Sequence, residues 1–212
     1  MKKMLLFSLM FIFTFSACHR IHGNGSIKSE TRNVPAFEGV TCDGSYEVQI
    51  KCQAEQSLTI ETDENLLPLI RTEVHDRKLN IRTKGFLFPT DKIRVTISIP
   101  NINEFTSNGS SDGEINNINN NELDVDINGS GKLFLDGKTG DVKFSTSGSS
   151  KIDATSLIAD DVKVRINGSG NIHVFAGSSL DVQINGSGTV KYKGDAKNVN
   201  QQINGSGKII KE

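Results

Sequence analysis

From residue 123 onward, apolar side chains fall on every second position, and one phrase interrupts the alternation at regular intervals. Taking the first glycine of that phrase as origin, the columns line up. Two residues before it stand Ile127, Thr146, Ile166, Ile184 and Ile203; four before, Val125, Phe144, Val164, Val182 and Gln201; six before, Leu123, Val142, Val162, Leu180 and Val199. Four after come Leu133, Ile152, Ile172, Val190 and Ile209, and six after come Leu135, Ala154, Val174 and Tyr192. Period two on both sides of a turn predicts strands with one buried face. Asp, Lys, Arg, Gln and Ser fill the positions between and face water.

The phrase is Ile-Asn-Gly-Ser-Gly, written with its glycine at Gly129, Gly168, Gly186 and Gly205, with degenerate copies at Gly44, Gly109 and Gly148. From Gly109 the steps are 20, 19, 20, 18 and 19 residues. Gly137, Gly177 and Gly194 mark a second turn in three of the repeats. One such coil cannot bury its own apolar side, but a stack of equivalent coils can, each strand pairing with its neighbours at about 4.8 Å. The expected fold is all-β, a parallel β-helix-like solenoid of about 19 residues per coil with NGSG corners.

A corner repeated at one place needs the same residues each time. Glycine takes φ > 0 without penalty, and asparagine tolerates such regions better than most residues. Stacked corners also turn identical residues into ladders. The candidate binding edge is therefore Asn128, Asn167, Asn185 and Asn204 with Ser130, Ser149, Ser169, Ser187 and Ser206, flanked by Lys132, Lys151 and Lys208 three residues after the glycine. Asn171 and Thr189 fill the lysine column between them.

Residues 53–100 break the period. "TDENLLPLI" predicts one short helix, capped by Asp63 or Asn65 with Pro68 in its first turn. "TEVHDRKLNIRTK" alternates and predicts a hairpin around Asp76-Arg77, with His75 at the surface. "DKIRVTISIP" predicts a strand through Ile93, Val95, Ile97 and Ile99. Together they form a small helix–hairpin elaboration near the N-terminal end, ahead of regular coils over 101–212. Cys42 and Cys52 share the parity of the apolar columns and read as buried thiols rather than a disulfide.

The first 17 residues are a basic start, an apolar run of 12 and small residues before Cys18. That is the pattern of a secretory signal, and the run is shorter than the roughly 20 residues of a spanning helix. Ser16-Ala17-Cys18 is similar to a bacterial lipobox, with Phe15 where that motif prefers leucine. Cleavage before Cys18 and lipidation of its thiol would tie the protein to a membrane, at a side of the outer membrane that stays open. Residues 18–30, polar and without apolar period, read as a flexible tether in which His19 and His22 have no assigned role. One domain over 31–212 follows.

Net charge is −1, with 20 glycines, no tryptophan, two tyrosines and four prolines. This balance gives no sign of a nucleic-acid partner. "GSSDG" at 109–113 satisfies G-x-S-x-G, but no helix is expected after it and Ser111 falls in a corner column. The acidic residues are read as not gathering in one column, since Lys143 and Lys163 separate Asp124 from Asp181. His173 is a lone outward residue. No catalytic residues, metal site or cofactor are expected, and six Asn-Gly-Ser sequons read as corners rather than glycan acceptors.

"FEGVTCDGSYEVQI" at 37–50, "DENLLPLIRTEVHDRKLNIRTK" at 63–84, "ISIPNINEFTSNGSS" at 97–111 and the INGSG series together resemble the bacterial putative auto-transporter adhesin, head GIN domain family, over roughly 27–212. The resemblance implies a β-helix-like fold, an exported and often lipid-anchored protein, and an adhesion role with no catalytic residues to transfer. Two functions of different class follow. One is a non-enzymatic surface binding module whose polar ladders meet a carbohydrate or protein ligand. The other is a structural cell-envelope protein without a soluble ligand. A polysaccharide-active β-helix enzyme is the weaker third reading, because such chemistry needs clustered carboxylates.

Overall fold

The computed structural model describes residues 20–212. The expected signal peptide and Cys18 lie outside the described residues. The chain runs as β1 (Arg20–His22), β2 (Ile27–Thr31), β3 (Gly39–Gly44), β4 (Glu47–Lys51), β5 (Ser57–Asp63), β6 (Ile70–His75), β7 (Lys78–Thr83), β8 (Phe86–Phe88) and β9 (Arg94–Ser98). Then follow β10 (Glu104–Gly109), β11 (Asp112–Asn119), β12 (Glu122–Gly129), β13 (Lys132–Gly148), β14 (Lys151–Gly168), β15 (Asn171–Gly186), β16 (Thr189–Lys193), β17 (Asn198–Gly205) and β18 (Lys208–Lys211).

The strands form two walls of a β-solenoid. One wall runs β6-β7-β3-β10-β12 and continues through the second halves of β13, β14 and β15 to β17. The other runs β2-β5-β9-β4-β11 and continues through their first halves to β16 and β18. From β7 and β9 onward the pairing is parallel, and the glycines of successive corners stand opposite one another. The columns read from the sequence are the buried ones: Val125, Phe144, Val164 and Val182 lie between the walls, as do Leu133, Ile152, Ile172 and Val190. The last coil departs from this. It is stacked on one side only, so Gln201 is exposed and Ile203 is 39% exposed.

The corner explains the phrase. Its first glycine has φ between +129° and +146° in all seven copies, backbone that side chains with a Cβ rarely adopt. From Gly109 to Gly205, an added Cβ would also lie 2.0–2.5 Å from the carbonyl oxygen of the preceding coil's glycine. That carbonyl is already engaged: Ser130 N–H donates to Gly109 O, Ser149 to Gly129, Ser169 to Gly148, Ser187 to Gly168 and Ser206 to Gly186. The second glycine has a different reason. A Cβ on Gly188 or Gly207 would stand 2.7 Å from Cγ2 of Ile166 or Ile184, the corner isoleucines of the coil before. The second turn is softer. Gly137 and Gly194 take positive φ there, whereas Gly177 does not. Register shifts between Phe134 and Asp136 and between Ala154 and Ile158 bend the long strands without ending them.

The elaboration differs from expectation in one element. No α-helix forms over 62–70; a single 3₁₀ turn, Leu67–Leu69, carries Pro68. Its carbonyls are satisfied from outside, because the Arg32 guanidinium donates to Leu67 O at 2.8 Å and Ile70 O at 2.5 Å. Asp63 and Asn65, expected as caps, serve elsewhere (below). The hairpin is present: β6 and β7 pair antiparallel around Asp76 and Arg77, both at positive φ as a tight hairpin turn requires.

The expected tether is also corrected. Of its described residues, 20–22 lie in β1, parallel to β8, and 27–30 lie in β2, antiparallel to β5. β2 is exposed at every position, so it carries no apolar signature. What holds it is the free hydrogen-bonding edge of β5, which the sequence of β2 itself does not reveal.

Candidate functional site

The corner side chains alternate outward along one edge of the stack. Asn128, Asn167, Asn185 and Asn204 are exposed, as are Ser130, Ser149, Ser169, Ser187 and Ser206. Parallel register puts the asparagines in one column with Asp43, Asn108 and Ser147. Within it each amide Nδ2 donates to the oxygen one coil earlier: Asn128 to Asn108 at 3.0 Å and Asn108 to Asp43 at 2.7 Å. Asn185 donates to Asn167 at 2.9 Å and Asn204 to Asn185 at 3.0 Å. The ladder is therefore two ladders, and Ser147 occupies the gap between them. The serine column is tied through its backbone N–H groups, which leaves its hydroxyls facing solvent.

The lysine column is also in register, as Lys132, Lys151, Asn171, Thr189 and Lys208. All three lysines are exposed. Among the described residues, the lysines that form ion pairs are others: Lys28, Lys78, Lys92, Lys143, Lys191 and Lys193. At its N-terminal end this column meets Asp112, which accepts from the Lys132 N–H at 3.1 Å and pairs with Lys92 at 2.9 Å. The Lys92 bond, opposed by partial burial and helped by Lys132, holds the Asp112 carboxyl below its ordinary value. The edge thus presents amides and hydroxyls at a one-coil spacing of about 4.8 Å, with ammonium groups on adjacent coils at Lys132 and Lys151 and again at Lys208. Such a surface can donate to hydroxyls, carboxylates or sulfates of a long polar ligand.

A second concavity lies away from that edge, on the outer face of the wall holding β12 to β15. It is a groove of about 470 Å³. Glu122, Asp141 and Asp161 stand in one column with Ser179, seven residues before each corner glycine. The next outward column is Asp124, Lys143, Lys163 and Asp181, with Lys143 3.4 Å from Asp124. Acidic residues therefore do gather in one column, contrary to the expectation drawn from Asp124 and Asp181. The signal was present, at a distance of seven residues from the glycine. Among the described residues no cluster of His, Cys, Asp or Glu is arranged to hold a metal ion.

Ser111 is buried inside the corner. Its hydroxyl donates to Gly44 O and accepts from the Tyr46 N–H, both at 3.3 Å, so it serves the turn. Cys42 and Cys52 are free and buried. Burial, with Asp43 nearby, pushes the Cys42 thiol up to about 12, and burial with Asp136 nearby pushes Cys52 up to about 11. Both are inert at neutral pH.

The family model described as Putative auto-transporter adhesin, head GIN domain matches residues 36–196. A putative adhesin from Bacteroides fragilis NCTC 9343 superposes with a TM-score of 0.74 at 22% identity, covering 91% of this chain and all of that one. A putative lipid binding protein from Parabacteroides distasonis ATCC 8503 gives 0.60 at 23% identity, over 92% of this chain and all of that one. A putative adhesin from Parabacteroides merdae ATCC 43184 gives 0.53 at 20% identity, over 91% and 99%. At these identities the likeness is one of fold. No curated protein matches the chain.

Proposed function

The chain belongs to the Putative auto-transporter adhesin, head GIN domain family, and we propose that it is an exported adhesion module, non-enzymatic and lipid-anchored in the bacterial cell envelope. In this reading the signal peptide is removed before Cys18, the Cys18 thiol is acylated, and the lipid holds the protein in the outer membrane. No helix among the described residues is long and apolar enough to cross a membrane. A lipid on the first residue would supply the attachment, each buried CH₂ contributing about 0.8 kcal/mol.

The contact surface we assign is the corner edge, and its ligand a polar polymer or protein bearing anionic groups. The observation that supports this is the register of three outward columns: amides interrupted only at Ser147, serine hydroxyls, and ammonium groups on the adjacent coils of Lys132 and Lys151 and again at Lys208. A rigid repeated surface suits a repeating ligand, because many weak contacts are made without ordering a loop. The adhesin names of two structural relatives agree with it.

The test is charge reversal, Lys132→Glu with Lys151→Glu, in a cell-adhesion and glycan-binding assay. Adhesion is expected to fall while the melting temperature holds, since both side chains are exposed. Adhesion undiminished by the double change, with folding intact, removes the edge as the contact site and leaves the structural envelope role as the better reading.

A further inference from the structure

Phe86 and Phe88 are 62% and 43% exposed. They stand two apart on β8, so both rings leave the same face of the strand, while Leu87 between them packs against the core. The neighbouring strand adds to that face. Arg20 pairs with Phe86 and His22 with Phe88. The His22 ring stacks on Phe88 with centroids 5.1 Å apart, and the Arg20 guanidinium lies 5.8 Å from the Phe88 centroid. Aromatic rings and a guanidinium thus share one solvent-facing patch.

The patch is held firmly to the N-terminal end of the stack. Gly23 N–H donates to Phe88 O at 2.9 Å, and the Asn65 amide donates to His22 O at 2.8 Å. Asp63, fully buried at the end of β5, accepts from Gly25 N–H at 2.7 Å. It also accepts from the Thr90 N–H and hydroxyl, both at 2.8 Å. One carboxylate therefore clamps the segment after β1 and the segment after β8. Gly23 is packed so closely on it that a Cβ would fall 2.2 Å from the carboxyl group.

We propose that this face is a membrane-contact patch, lying in the headgroup layer of the bilayer that holds the protein. The proposal rests on the reading that Cys18 is acylated. Arg20 follows Cys18 by two residues, which span at most about 7 Å. A polar headgroup layer is roughly 5–8 Å deep. Lipid chains on Cys18 would then hold Arg20 and the two rings at the membrane surface. The chemistry fits that layer: phenylalanine rings bury at the boundary of headgroups and acyl chains, the amphipathic His22 ring sits beside them, and a guanidinium reaches lipid phosphates. In the mature chain of that reading only Cys18 and His19 precede Arg20, too few residues to fold over both rings. The consequence is orientation, with the N-terminal end on the membrane and the repeated coils leading away from it.

The chain has no tryptophan, so one introduced indole reports alone. Full-length Phe86→Trp and Ile158→Trp proteins, each matured in cells, would be reconstituted into phosphatidylcholine–phosphatidylglycerol vesicles containing brominated lipid. Ile158 is 48% exposed in β14, within the repeated coils. The indole at position 86 is expected to shift to the blue and lose most of its emission to bromine; the one at 158 keeps its emission. An indole at 86 that is no more quenched than the one at 158, in protein that sediments with the vesicles, overturns the patch while the anchor stands. A blue shift without bromine quenching also overturns it, because protein then covers the ring. Protein that never sediments, or a Cys18→Ser variant retained in the cell membrane fraction, overturns the anchor and the patch with it.

Discussion

Residues 101–205 and residues 20–100 are built on one continuous core, yet they solve the burial problem differently. In the coils each strand lies beside its own sentence shifted by one repeat, so a single rule sets every buried column. The buried polar residues there, Ser107, Ser111, Thr139, Thr146 and Ser150, are all uncharged. The N-terminal region has no such neighbour to copy. It ends the stack with the antiparallel strands β2, β5 and β6 and closes it with individual polar anchors. Arg32 satisfies the carbonyls of the 3₁₀ turn, and Asp63 gathers two chain segments. A repeat can propagate itself by period, but its end needs partners chosen one by one.

The largest test of that contrast lies in the coils. Ile166 is fully buried, and Arg165 next to it is exposed. Ile166→Asp places an unpaired carboxylate between the walls and is expected to cost several kcal/mol, enough to unfold a marginal domain. Arg165→Asp is expected to stay within about 0.5 kcal/mol. Chemical denaturation of the two variants decides it, and equal midpoints would mean that the coil register is wrong.

A middle-sized effect separates the N-terminal region from the coils by pH. Among the described residues, Asp63 is the one buried carboxylate. Burial pushes its carboxyl up, but the bonds from Thr90 and Gly25 outweigh that and hold it below its ordinary value. A depressed folded value means that the stabilisation is fully present above the unfolded value of about 4. It is lost as pH falls through the folded value. Asp63→Asn should therefore be less stable than wild type at pH 6, and the gap should narrow on acidification below about pH 4. Hydrogen exchange at 23–25 and 90 should rise in acid before exchange in β13 to β15. A gap that stays constant from pH 6 to pH 2 would remove Asp63 as the clamp.

Much of the coil region was legible because a repeat offers several readings of the same column. Ile127, Ile166 and Ile184 report one environment three times, and the corner glycines do the same. The column of Glu122, Asp141 and Asp161 is equally legible, seven residues before the glycine, whereas Asp124 and Asp181 five before it are separated by lysines. The N-terminal region gives each position one chance. Leu66 and Leu67 looked helical because local composition favours a helix, but Pro68 and the pull of two flanking strands leave a single turn. β2 was invisible, since an exposed strand is defined by the edge it joins. The register aligns the asparagines and the lysines in the columns that the period predicts, although Ser147 breaks the amide ladder where the period alone would run it through.

That break supplies the smallest and sharpest comparison. The Asn108 and Asn128 amides form one ladder that ends on the Asp43 carboxylate, and the amides of Asn167, Asn185 and Asn204 form another. Ser147 faces Asn128 on one side and Asn167 on the other. Its hydroxyl can both donate and accept, but it sits on a side chain one atom shorter than asparagine's, and the reach to both neighbours is lost. Ser147→Asn should add both bonds and join the ladders. Exposed hydrogen bonds contribute little, so the expected gain is about 1 kcal/mol, a rise of roughly 2–4 °C in melting temperature for a domain of this size. Asn185→Ala removes two bonds and should lower the melting temperature by a comparable amount. Asn185→Asp sharpens the reading, because it keeps the corner preference and the acceptor but loses the donor to Asn167. It should fall between wild type and alanine if the ladder carries the effect. If Asn185→Asp matches wild type while alanine is destabilised, the asparagines act through corner geometry alone, and Ser147→Asn will then leave the melting temperature where it is.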